Sequence, residues 1–79
     1  MQITLQLFGA FRSLGETLSL GLPEGGTVAD LRAAVARVSD VKDGLLKASR
    51  FATDTEILFE DAPLTDGAIL AIIPPVAGG

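Results

Sequence analysis

Ile69-Leu70-Ala71-Ile72-Ile73-Pro74-Pro75 is the stretch that decides the fold. Five apolar residues in succession, three of them β-branched, read as a strand near the centre of a sheet. Pro74 has no N–H to offer a hydrogen-bond ladder, so the strand stops there. Just upstream, Pro63-Leu64-Thr65-Asp66-Gly67 has the chemistry of a turn, with Asp and Gly at its end. A strand entered by a turn and left through two prolines is a fixed post. Each proline holds φ near about −65° and favours an extended path, which stiffens the exit of Val76-Ala77-Gly78-Gly79.

The elements around this post follow from period. Residues 2–8 alternate, with Ile3, Leu5 and Leu7 on one face and Gln2, Thr4, Gln6 and Phe8 on the other, which reads as a half-buried strand. Gly9 to Gly15 is a connection, after which Leu18, Leu20 and Leu22 alternate with Ser19 and Gly21 to complete a hairpin. Pro23-Glu24-Gly25-Gly26 is a break. Thr27 then sits in N-cap position with Asp30 three residues on, and Val28, Leu31, Val35 and Val38 form a helical stripe ending near Ser39-Asp40. Arg32 and Arg37 fall toward the polar side and the C-terminal half, where cations favour the helix dipole. Val41-Lys42-Asp43-Gly44 reads as a turn, Leu45-Leu46 as a short helical turn, and Phe51-Ala52 and Glu56-Ile57-Leu58-Phe59 as short strands. A hairpin, a crossover helix and a last strand parallel to the first give an α+β fold. The expectation is a mixed β-grasp (ubiquitin-like) sheet with one main helix across one face. The domain spans residues 1–73, and residues 74–79 form an extended C-terminal tail.

Composition restricts the chemistry. The chain has 79 residues, is 48% hydrophobic and contains neither cysteine nor histidine. Its core must be packed without disulfides, at a size where one core is only just sufficient. Lacking His, Cys, Tyr and Trp, it has none of the usual general bases, thiol nucleophiles or stacking platforms, which argues against autonomous catalysis. A net charge of −4 argues against a nucleic-acid partner. No apolar run is long enough for a membrane span, and the alternating N-terminus lacks a basic signal-peptide region, so a cytoplasmic location is the default expectation.

The candidate reactive group is therefore the terminus itself. Gly78 and Gly79 put an α-carboxylate on backbone without side chains, able to enter a channel too narrow for any Cβ. Phe8, Ile69, Ala71 and Ile73 share the outer sheet face if Leu70 and Ile72 turn toward the helix, and four uncovered apolar side chains make a docking patch. Asp40, Asp43, Glu60, Asp61 and Asp66 sit among turn residues and read as solvated acids, with no metal site expected. Gly25-Gly26-Thr27 lacks the Lys and the glycine spacing of a phosphate loop and reads as a cap. Arg12 and Arg50 have partner acids or Asp54 and Asp61 as alternative counter-ions.

Pro63-Leu64-Thr65-Asp66-Gly67, a hydrophobic strand and then Pro74-Pro75-Val76-Ala77-Gly78-Gly79 resemble the small subunit of molybdopterin synthase. This is a ubiquitin-like sulfur carrier, related to the thiazole sulfur carriers. That family carries P-L-x-D-G, a strand, and P-P-V-(S/T/A)-G-G at its end. Leu7-Phe8-Gly9-Ala10-Phe11-Arg12 and Thr27-Val28-Ala29-Asp30-Leu31 match its first strand with the following loop and the start of its helix, so the likeness spans the chain. Two departures stand out: Ala68-Ile69 replaces the usual Asp-Glu, and Asp54 replaces the usual Asn. The resemblance implies that an E1-like activating enzyme uses ATP to adenylate Gly79, that a sulfur donor converts it to a thiocarboxylate, and that the tail enters the large synthase subunit. There the sulfur attacks cyclic pyranopterin monophosphate in a heterotetrameric enzyme whose large subunit supplies catalysis. On this reading Pro74, Pro75, Val76, Ala77 and Gly78 insert the tail, and the chain binds no cofactor of its own. Sulfur carriage for thiazole or tRNA thiolation, protein modification through lysines, and a plain interaction domain with an inert tail are the alternatives.

Overall fold

A computed structural model of the protein describes residues 1–75. In chain order it contains β1 (Gln2–Leu7), a 3-10 turn (Gly9–Leu14), β2 (Thr17–Gly21), α1 (Val28–Val38), α2 (Asp43–Ala48), β3 (Arg50–Ala52), β4 (Ile57–Leu58) and β5 (Ile69–Ile73). The sheet order is β2-β1-β5-β3-β4. β1 pairs antiparallel with β2 and parallel with β5, and β3 pairs antiparallel with both β5 and β4. The mixed β-grasp sheet read from the sequence is therefore the one observed, with the last strand at its centre.

The helix begins where its capping chemistry requires. The Thr27 N–H donates to the Asp30 carboxylate at 2.8 Å, and the first helical N–H groups of Val28 and Ala29 donate to the carbonyls of Ala62 and Glu60 at 3.1 and 3.0 Å. Donors that an isolated helix would leave to water are thus satisfied by the chain that leads back to β5. Val28, Leu31, Ala34 and Val35 are buried against Ile3, Leu5, Leu7, Leu70 and Ile72 in one core.

Two local readings are corrected. The Gly9–Gly15 connection is not plain loop: it coils into a 3-10 turn that buries Phe11 completely. The turn, which lies between β1 and β2 in sequence, carries the Phe11 side chain into the core. Val38, assigned to the helical stripe, is 57% exposed, because at the last position of α1 the stripe has passed the edge of the sheet. The short helical turn at Leu45-Leu46 is observed as α2, which buries Leu46.

Candidate functional site

β5 is held in place by the turn before it. Leu64 is buried and its N–H donates to the Gly26 carbonyl at 3.0 Å. The Asp66 carboxylate accepts the Gln2 N–H at 2.7 Å, the Gly67 N–H donates to the Gln2 carbonyl at 2.8 Å, and the Thr4 N–H donates to the Ala68 carbonyl at 3.0 Å. Gly67 has φ +84°, a left-handed conformation that glycine adopts at little cost. The Pro-Leu-Thr-Asp-Gly segment is therefore a latch that fastens the start of β5 to the start of β1 and fixes its register, Thr4 opposite Ile69 and Leu7 opposite Ile72. Beyond Ile73, Pro74 is half-buried and Pro75 exposed. Val76, Ala77, Gly78 and Gly79, which carry the expected reactive carboxylate and its approach, lie outside the described residues.

Strand alternation sorts the apolar run. Leu70 and Ile72 are buried toward α1, whereas Ile69 is 62% and Ile73 41% exposed, with Ala71 half-buried between them. Phe8, one residue past β1, is also exposed. α2 packs on the α1 side, where Leu46 joins the core, and so does not cover the opposite face. By strand alternation Ile69, Ala71 and Ile73 share the uncovered face of the sheet, and Phe8 is exposed just past the end of β1. A shallow depression on that face is lined by Gln6, Thr53, Asp54, Ile69 and Ala71. The apolar surface also reaches farther than the sequence reading took it. Ala52, itself buried, pairs with Ala71 and with Ile57, and beyond it Ile57 and Phe59 are exposed. That extension required knowing that β3 and β4 lie beside β5, which period alone does not give. Across β1 and β2 the same face is polar, with Gln2, Thr4, Gln6, Thr17 and Ser19.

Some of the charged side chains among the described residues pair within the domain. Asp43 pairs with Lys47 at 3.0 Å and Arg12 reaches Glu16 at 3.9 Å, rather than Asp54 or Asp61. The unforeseen member is Arg32. Its guanidinium donates to both Glu60 carboxylate oxygens (2.9 and 2.7 Å), to the Ser49 carbonyl at 2.9 Å and to the Leu46 carbonyl, and it lies 4.9 Å from the centroid of the Phe51 ring. The hydrogen bond from Arg32 holds the Glu60 carboxyl below its ordinary range, with burial opposing. No helix among the described residues is long and apolar enough to cross a membrane.

Comparison with known proteins follows this geometry. The ThiS family model matches residues 5–79. The molybdopterin synthase sulfur carrier subunit of Synechococcus elongatus is 36% identical, over 98% of this chain and 96% of that protein. Among solved structures, the Haloferax volcanii HVO 2177 protein superposes with a TM-score of 0.77 at 26% identity, covering 100% of this chain and 87% of that one. Subunit 1 or 2 in the Helicobacter pylori complex of molybdopterin-converting factor subunits 1 and 2 shares the fold, with a TM-score of 0.69 at 22% identity and full coverage of both chains. A family match over nearly the whole length, through the Gly-Gly motif, agrees with the resemblance read from the sequence, and the chain belongs to the ThiS family of ubiquitin-like β-grasp proteins.

Proposed function

We propose that this chain is the sulfur carrier of a molybdopterin synthase, with Gly79 as the carrying residue. The observation that carries the reading is the 36% identity to a molybdopterin synthase sulfur carrier subunit over 98% of the chain. The family match reaching Gly79 and the placement of the tail directly after the central strand support it.

In this reading the Gly79 carboxylate attacks the α-phosphate of ATP on an E1-like activating enzyme, and pyrophosphate leaves. The acyl adenylate is then electrophilic at carbon. The terminal sulfur of a persulfide attacks it and AMP departs; cleavage of the remaining S–S bond by a second thiol leaves the thiocarboxylate. The body of the domain contributes no catalytic group. It docks through Phe8, Ile69, Ala71 and Ile73, while Pro74 and Pro75 stiffen the chain that leads Val76, Ala77 and Gly78 into the narrow site. The large synthase subunit then positions cyclic pyranopterin monophosphate, and the sulfur, a soft nucleophile, is transferred to it. ATP is consumed by the activating enzyme, and the chain itself holds no cofactor.

Intact-mass spectrometry tests this. Incubation with ATP, a sulfur donor and the cognate activating enzyme produces a mass gain of about 16 Da, oxygen replaced by sulfur. Deletion of Gly79 abolishes both that gain and molybdopterin formation with the large subunit. Synthase activity that survives the deletion removes the proposal, and recovery of Gly79 joined to lysine ε-amino groups assigns protein modification instead.

A further inference from the structure

The parallel register of β1 and β5 carries an observation that the tail motif does not. Leu7 lies opposite Ile72. Two residues further along each chain, Gly9 and Pro74 meet: a Cβ built on Gly9 falls 2.8 Å from Pro74 Cγ, with Cδ and Cβ of the same ring at 3.8 and 3.9 Å. Non-bonded carbon atoms do not approach to 2.8 Å without something moving, and a proline ring has no free end to swing away. Gly9 also has φ +56°, in the left-handed region that residues with a Cβ rarely enter. Two independent constraints, space and backbone conformation, thus require glycine at the point where the chain leaves the sheet.

The segment that carries Gly9 is anchored on both sides. Leu7 before it and Phe11 after it are buried in the core, the Phe11 N–H donates to the Phe8 carbonyl at 3.1 Å, and the Leu7 N–H donates to the Glu16 carbonyl at 3.0 Å. Pro74, with no N–H, cannot be held by extending the ladder. Its position comes from packing.

We propose that Gly9 is a positioning residue, the seat of the Pro74 ring, which sets the direction in which the chain leaves β5. Its functional consequence rests on the sulfur-carrier reading. The exposed sheet face supplies binding to the activating enzyme, and the Gly9 seat aims the carboxylate. Displacing Pro74 therefore lowers kcat for activation and leaves KM in place. A misaimed reacting group of this kind loses about tenfold or more in rate.

The test is a double-mutant cycle with Gly9→Ala, Pro74→Ala and the pair, read in two ways. In the nuclear Overhauser spectrum of the wild-type protein, Gly9 Hα and Pro74 Hγ give a cross-peak. Gly9→Ala shifts residues 8–11 and 73–75 while cross-strand peaks between β1 and β5 persist. In ATP–pyrophosphate exchange with the activating enzyme, each single variant loses about tenfold in kcat at constant KM. The double variant is no worse than the poorer single one, because removal of ring carbons makes room for the new methyl. Pro74→Ala carries the test alone if Gly9→Ala fails to fold, since it asks nothing unusual of the backbone at position 9. An absent wild-type cross-peak, single variants within twofold of wild type in kcat, or effects that multiply in the pair overturn the seat. A cross-peak in a protein that no activating enzyme accepts supports the seat and overturns the sulfur-carrier reading instead.

Discussion

Arg32 joins more of the molecule than any other charged side chain among the described residues. From one position on α1 it reaches Glu60, 28 residues away, and the carbonyls of Leu46 and Ser49 that end α2. Its side chain is 14% exposed, and its bonds to the two carbonyls are partly buried, where water competes less than at the 55% exposed Glu60. Arg32→Met keeps the length and loses every donor, which leaves the Ser49 carbonyl and the Glu60 carboxylate without the guanidinium and the Leu46 carbonyl with the Ser49 N–H alone. A loss of about 2–3 kcal/mol is expected from urea denaturation. The pH dependence has a definite sign. Glu60 titrates lower in the folded protein than in the unfolded chain, because the bound guanidinium favours its ionised form. Its contribution is present above the ordinary Glu value of about 4.3 and is lost as pH falls through the lowered folded value. The stability gap between wild type and Glu60→Gln therefore narrows on acidification through that window; a gap independent of pH would place the Arg32 contribution elsewhere. None of this was legible at residue 32. Helical period shows only that Arg32 leaves the apolar stripe, and its partners are backbone groups brought near by other elements.

At the scale of elements, the sequence contained a conflict that only packing resolves. Five consecutive apolar residues in β5 usually mean burial on both faces. In this chain Leu70 and Ile72 are buried while Ile69 and Ile73 are exposed, on a face that α1 and α2 leave uncovered. The exposed face of β5 was legible because the parity of the strand follows once one side is assigned to the helix. Its reach to Ile57 and Phe59, beyond the buried Ala52, was not, since β3 and β4 are three and two residues long and too short to show a period. Gly9–Leu14 was illegible as a 3-10 turn for a similar reason: six residues with one buried aromatic look like a loop. The exposed face yields a prediction independent of the tail. Ile69→Asp puts a charge where the native side chain is 62% exposed, so the melting temperature stays close to that of wild type. Affinity for the large subunit, measured by titration calorimetry, falls by about tenfold or more, because the charge is desolvated on docking. Unchanged affinity would mean that the partner uses another surface.

For the whole molecule, the division into a buried and an exposed side of one sheet decides what the fold tolerates. With no cysteine to cross-link it, the domain depends on a core in which Phe11 and Phe51 are its largest fully buried side chains. Phe51 lies on β3 beside Ile72 and Leu58, with the Arg32 guanidinium against its ring. Truncation there opens a cavity between sheet and helix and also removes the surface on which Arg32 rests. Phe51→Ala is expected to cost about 3–5 kcal/mol. A chain of this size has about 4–12 kcal/mol of total stability, so that one change brings the protein close to unfolding at ambient temperature. Phe59 has the same chemistry and lies eight residues away, but is 82% exposed. Phe59→Ala removes the same atoms from solvent rather than from the core, so its effect stays within about 0.5 kcal/mol. Urea midpoints of the two variants, measured side by side, separate burial from residue type. Comparable losses at both positions would mean that the sheet hides its outer face in solution, and the docking surface would then have to be sought elsewhere. A large loss at Phe51 alone leaves the outer face free for a partner while the inner face holds β5, and with it the chain's exit, in place.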